Sequence, residues 1–227
     1  MSTNPPSIGD AFQRAVEHWR RHRPKEVKSQ GPLLTVAFSR EAGAGGKQIA
    51  SELADRLKWP IYDRELVEKI AADSGLSTQV VDSVDEHRSS FIVETLEAFS
   101  GATSMGGAGY AYRLRKTLAA LGAHGECVIV GRGATAILPR HSTVAIRVVA
   151  AMNDRVARYA RRHDVTTQAA KSELRRLDKE RSAFVRQYFH KDIDAPHGYD
   201  LVVNTSDLDE EACVDLCHRA VQLKAAL

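Results

Sequence analysis

Leu33-Leu34-Thr35-Val36-Ala37-Phe38-Ser39-Arg40-Glu41-Ala42-Gly43-Ala44-Gly45-Gly46-Lys47-Gln48-Ile49-Ala50-Ser51-Glu52-Leu53 is the stretch whose reading decides the fold. Leu33 to Phe38 is apolar on both faces, as a strand at the centre of a parallel sheet requires. Ile49, Leu53, Ala54 and Leu57 then recur at the spacing of an amphipathic helix. The turn between them carries Gly43, Gly45 and Gly46, so backbone N–H groups are free to surround an anion where the helix dipole also favours one. Phosphate is the natural guest, and glycine serves because positive φ and close backbone approach both exclude a Cβ. The expected phosphate-binding residues are Ser39, Arg40, Gly43, Ala44, Gly45, Gly46, Lys47 and Gln48. Read alone, the turn also suits an ordinary strand-to-helix connection with glycines placed for tight packing. Against the pattern Gly-x4-Gly-Lys-Ser/Thr, Glu41 stands at the first glycine and Gln48 at the hydroxyl that holds magnesium.

Working outward, Pro60 to Tyr62, Cys127 to Val130, Thr143 to Val149 and Asp200 to Thr205 read as further strands. Helical spacing runs from Arg64 to Ala72, from Ser77 to about Ala98, and from Tyr110 to Ala123. It resumes from Asn153 to about His163, from Thr167 to about Phe189, and from Leu208 to Leu227. Ser100 to Gly109, glycine-rich and small, reads as a mobile loop. Strands alternating with helices predict a P-loop α/β fold, a five-stranded parallel sheet flanked by helices. Ligands in such sheets bind at the carboxyl ends of the strands. The chemistry is therefore to be sought after Phe38, Tyr62, Val130 and Val149. Residues 1–30, with a helix around Ile8 to Arg21 before Pro24, are expected to form an N-terminal arm, and residues 31–227 the P-loop domain.

A chain of 227 residues with 43% hydrophobic and 27% charged residues can bury a real interior, which excludes disordered and fibrous classes. No apolar run approaches the roughly 20 residues that cross a bilayer, and the N-terminus lacks a signal-peptide core, so a cytoplasmic protein without a membrane partner is expected. The three cysteines read as reduced, buried thiols. Cys213, Cys217 and His218 are too few for a zinc site, and His87, His124, His163 and His190 have no metal-ligand spacing. No metal held directly by side chains is expected. The net charge of +3 is slight, but arginine clusters between Arg155 and Arg186.

The loop Ser39-Arg40-Glu41-Ala42-Gly43-Ala44-Gly45-Gly46 resembles that of the cytidylate kinase-like family, which reads Ser-Arg-(Glu/Gln)-x-Gly-x-Gly-Gly. The resemblance continues through Trp59 to Leu66, Val130-Gly131-Arg132-Gly133, Arg175 to Arg181 and Tyr199 to Thr205, in the family's order. It implies a kinase using ATP and Mg²⁺, with an acceptor-binding insertion over about residues 64–115 and an arginine-bearing lid over about residues 153–190. It implies nucleotide substrates and places Asp63, Arg64, Arg132 and Asp178 at the acceptor. Three departures stand out. Gly46 occupies the lysine position of true cytidylate kinases, Gln48 lies near the magnesium hydroxyl, and Gly133 replaces the aspartate of Gly-Arg-Asp.

Phosphoryl transfer asks a protein to position two substrates and neutralise spread charge, which is work for Arg, Lys and Mg²⁺. Lys47, Arg158, Arg162 and Arg181 are the expected catalytic set. A solvated helical face is the plain alternative for any single lid arginine. Arg40 either pairs with Glu41 or stands in for the missing lysine charge at the β- and γ-phosphates. Asp63 either caps the helix beginning at Arg64 or meets the acceptor, and the two roles are compatible. The favoured acceptor is a nucleoside monophosphate such as CMP. A nucleotide-binding regulator with a degenerate loop and little turnover is the rival reading. Nucleic-acid binding through the arginine cluster is a weaker third, and a homodimer is compatible with the chain.

Overall fold

The computed structural model describes residues 8–21, 33–82, 84, 92–93 and 108–227. The first strand, β1 (Thr35–Arg40), is buried along nearly its whole length. It pairs in parallel with β3 (Cys127–Val130) on one side and β4 (Thr143–Val149) on the other. β2 (Ile61–Tyr62) and β5 (Leu201–Asn204) complete an all-parallel sheet in the order β2-β3-β1-β4-β5. The predicted α/β class with five parallel strands is what the chain adopts. β1 begins two residues later than its apolar run and continues to Arg40, because the ladder with β4 carries on through Ser39↔Arg147 and Arg40↔Val148.

Alternation along β1 feeds two cores. Ala37 faces a cluster with Tyr62, Ile129, α1 (Ile8–Arg21), α3 (Arg64–Ala72) and α5 (Ala108–His124). Val36 and Phe38 face the other, closed by α2 (Gly46–Leu57) and α9 (Glu210–Ala225). The N-terminal helix is integrated rather than appended: Trp19 is buried and its Nε1 donates to the Tyr62 hydroxyl at 2.8 Å. α3 has the bounds expected for it, and the next helix, α4 (Ser74–Asp82), starts three residues before the expected Ser77, since the Asp73 carboxylate accepts from the amides of Gly75 and Leu76. Most of the continuation expected to about Ala98, and the glycine-rich loop before α5, lie outside the described residues.

A short helix, α6 (Ala134–Ile137), follows β3 and went unread in the sequence. α7 (Met152–His163) and α8 (Thr167–Phe189) form a hairpin after β4, started by the Thr166 hydroxyl accepting from Ala169 N. This hairpin packs on Ala42 of the first loop through Val156, Ala170 and Leu174, a far smaller apolar cluster than either core. All three cysteines are free thiols and buried. Among the described residues no helix is long and apolar enough to cross a membrane.

Candidate active site

The register sets the carboxyl ends of β1, β3 and β4 side by side, so the loop after β1 lies between the loop after β3 and the α7–α8 hairpin. The loop itself is held from every side. Ala42 N donates to Asp178 Oδ1 at 2.7 Å, and Ala42 O accepts from Arg155 Nη1 at 3.2 Å. Arg155, buried, also donates to Asp178 Oδ2 at 2.5 Å and to Ala150 O at 3.0 Å. Ala44 O accepts from the Thr205 hydroxyl at 2.9 Å. Glu41 accepts from Ala150 N at 3.0 Å and lies 3.5 Å from Arg155 Nε. It is thereby engaged by β4 and α7 rather than by Arg40.

With these groups engaged, Gly43 and Gly45 take φ of 78° and 81°, where a side chain is strained. Gly45 caps α2 with no side-chain bond. Among the described residues no group accepts from the amides of Gly43, Gly45, Gly46 and Lys47, and all four residues line a cavity of about 280 Å³. Unpaired N–H groups at a helix N-terminus form an anion site. Arg158 and Arg162 of α7 and Arg181 of α8 line the same space.

A second cavity, also of about 280 Å³, adjoins the first and is lined by Arg64, Arg132, Gly133 and Phe184, among others. Arg40, Leu177 and Arg181 line both. Arg132 sits in the left-handed region at φ 53° between Gly131 at 82° and Gly133 at 75°. Its Nη2 lies 2.6 Å from Glu68 Oε1, and its guanidinium lies 4.6 Å from the Phe184 ring centroid. Burial pushes its pKa down, and the Glu68 carboxylate opposes that. Arg64 Nε is 3.6 Å from the same carboxylate oxygen. Arg181 Nη1 donates to Arg40 O at 3.0 Å, and its pKa is lowered by burial. Arg40 is pushed down to about 9, first by burial and then by the charges of Arg181, Arg132 and Arg64.

The expected residues separate into groups. Gly43, Gly45, Gly46, Lys47, Gln48, Arg158, Arg162 and Arg181 converge on the first cavity, and Arg64 and Arg132 on the second. Ser39 lines the second cavity, its hydroxyl accepting from the buried Arg147 at 2.8 Å, and Ala44 is buried beneath the loop. Asp178 clamps the loop backbone instead of lining the second cavity. Asp63 caps α3 through Leu66 N at 3.1 Å and lies 3.1 Å from Lys47 Nζ, so its capping role coexists with a charge pair. Arg158 is fixed by both oxygens of Thr205. With the Gln48 amide turned to suit both neighbours, its oxygen accepts from Arg162 Nη1 at 2.6 Å and its nitrogen donates to Gly45 O at 3.2 Å.

Glu68 and Arg155 were not singled out by the sequence. Glu68 had one signal, its place four residues after Arg64 on a helix. Arg155 is one of an evenly spaced arginine series, and nothing local marks it as the buried one. Among the described residues no group of three or more His, Cys, Asp or Glu side chains could hold a metal ion. Gln48, at the position where a hydroxyl ligand was sought, has its amide engaged by Arg162 and Gly45 and offers no hydroxyl to a metal ion.

A family model for the cytidylate kinase-like family matches residues 35–207. The crystal structure of an uncharacterized protein from Eubacterium ventriosum is similar at a TM-score of 0.68 and 21% identity, covering 84% of this chain and 99% of that one. Shikimate kinase from Bacteroides thetaiotaomicron aligns at a TM-score of 0.46 and 14% identity, over 86% of this chain and 99% of that one. No curated protein matches the chain by sequence.

Proposed function

Because the chain belongs to the cytidylate kinase-like family, we propose that it is an ATP-dependent phosphotransferase moving the γ-phosphoryl group to a nucleoside monophosphate such as CMP. The observation that carries this reading is the pair of adjoining cavities, one over four unpaired loop amides, the other arginine-lined, with Arg40 and Arg181 common to both. Two anions brought to opposite sides of one guanidinium-lined wall are in position for in-line transfer.

In this reading the donor's phosphates rest on the amides of Gly43 to Lys47, and Arg158 and Arg162 approach from α7. The acceptor's phosphate occupies the second cavity beside Arg132 and Arg64. Arg181 faces the transferred group from α8. No protein nucleophile is needed: positioning and charge stabilisation supply the catalysis. Mg²⁺ arriving with the nucleotide would add charge stabilisation beside the loop amides and the arginines. The α7–α8 hairpin closes over the donor side and keeps water from the γ-phosphate.

The test is ADP production with ATP and Mg²⁺ against CMP, UMP, dCMP and AMP, with ATP affinity measured by calorimetry. The expected outcome is turnover with at least one acceptor, falling when Arg132 is replaced by Ala. ATP binding without ADP production for any acceptor would instead favour the regulator reading, which Gly46 in the lysine position supports.

A further inference from the structure

We propose that Arg40 takes over, in space and in charge, the part that a P-loop lysine would play, bridging the donor's terminal phosphate and the acceptor, while Lys47 serves as a tether to Asp63. This rests on the phosphotransferase reading and assigns the cation on which it turns.

The argument begins with volume. A Cβ on Gly46 would lie 2.7 Å from Arg40 Cβ, 3.2 Å from Arg40 Cγ and 3.2 Å from Val148 Cβ. No side chain fits at Gly46, because the Arg40 stem already fills that space. The other end of Arg40 lies against Gly131, where a Cβ would overlap Nη1. Arg40 thus spans from the first residue of α2 to the loop after β3, the two halves of the site, and it lines both cavities.

Charge points the same way. Among the described residues nothing accepts a hydrogen bond from the Arg40 guanidinium, and the charges of Arg181, Arg132 and Arg64 act on it more strongly than the one opposing charge, that of Asp63. Arg132 has Glu68, and Arg155 has Asp178. Pushed down only to about 9, Arg40 is still a cation at neutral pH. A half-buried cation whose nearest neighbours are mostly like charges destabilises the unliganded fold unless an anion joins it. Lys47, by contrast, is 63% exposed and already paired with Asp63, an arrangement of small energetic weight.

In the step itself an oxygen of the acceptor's phosphate forms a bond to Pγ of ATP. The bond from Pγ to the oxygen bridging to Pβ breaks, and its electron pair leaves with ADP. A nucleoside monophosphate becomes the diphosphate. Arg40 would touch the transferred phosphoryl from the acceptor side throughout.

The experiment compares full-length wild type, Arg40→Met, Arg40→Lys and Lys47→Met by turnover and by melting temperature with and without ATP–Mg²⁺ or inorganic pyrophosphate. Arg40→Met is expected to lose about 10²–10³-fold in kcat, Arg40→Lys to recover part, and Lys47→Met to lose less than a tenth as much. Without ligand, Arg40→Met is expected to melt about 2–4 °C higher, since a self-repelling charge is gone. It should also lose most of the melting shift given by pyrophosphate. A purely structural Arg40 would do the reverse, lowering the melting temperature and leaving the pyrophosphate shift intact. That result, or a greater loss in Lys47→Met than in Arg40→Met, overturns the proposal. An Arg40-dependent pyrophosphate shift in a wild type without turnover would defeat the kinase reading alone. A wild type stabilised by neither ligand would defeat both.

Discussion

Gly133 illustrates how one residue carries the neighbourhood with it. A Cβ there would overlap the Phe189 ring, and its φ of 75° is strained for any side chain. The exchange of Gly-Arg-Asp for Gly-Arg-Gly is therefore matched by an aromatic ring that occupies the vacated volume from the last turn of α8. Arg132 beside it pays about 1–2 kcal/mol for its left-handed backbone, and the return is a guanidinium fixed between Glu68 and the Phe184 ring. Gly133→Ala is expected to lose about 1–3 kcal/mol by urea denaturation. Phe189→Leu should restore part of that loss when the two are combined, because they contend for one space. Strictly additive losses in that cycle would mean the ring and the glycine are independent. Gly133→Asp should likewise fail to raise turnover with CMP, since the carboxylate has nowhere to go.

At the scale of elements, the parts of the chain with a strong period were legible and the parts set by partners were not. β3, β4, α7 and α8 lie within one residue of their expected bounds, since buried four-to-seven-residue runs and long helical stripes announce themselves. The turn between β1 and α2 was readable because three glycines between a buried strand and a helical stripe mark a tight connection with positive φ. The break after Ala72 was legible as well, but the next helix starts at Ser74 rather than Ser77, because Asp73 caps it through Gly75 and Leu76 and nothing in the sequence marks that aspartate as the cap. Which lid arginine is buried was equally hidden. Asp178 was expected at the acceptor, and only the folded hairpin shows it bridging α8 to the loop backbone. Asp178→Ala would strand the buried Arg155 and the Ala42 amide together. A stability loss of about 3 kcal/mol is expected by chemical denaturation. ATP affinity should fall with it, although Asp178 lies behind the loop amides rather than among them. Unchanged affinity at full folding would show that the loop keeps its shape without the clamp.

For the whole molecule the decisive contrast lies between the sheet and the hairpin. The two main cores fill both faces of five parallel strands, whereas α7 and the first half of α8 rest on Ala42, Val156, Ala170 and Leu174 plus polar ties, and only the end of α8 joins the first core, through Phe184, Tyr188 and Phe189. Those ties are Asp178 to the Ala42 amide, Arg158 to Thr205, Arg162 to Gln48 and Arg181 to the Arg40 carbonyl. All four connect the hairpin to the loop or to strand ends beside the loop cavity, so under the proposed function the contacts that hold the hairpin are the ones a bound triphosphate would compete for or reinforce. Regions with little apolar contact open well below the cost of global unfolding. Native-state hydrogen exchange should therefore show α7 and the first half of α8 exchanging faster than β1, β3 and β4. ATP–Mg²⁺ should slow the hairpin selectively, because a ligand that binds only the closed form stabilises it by mass action. Uniform exchange across sheet and hairpin would contradict the small size of the underlying cluster. Protection by ATP confined to the loop, with the hairpin unaffected, would show that the arginines of α7 and α8 do not meet the donor, and closure over the transferred group would have to be abandoned.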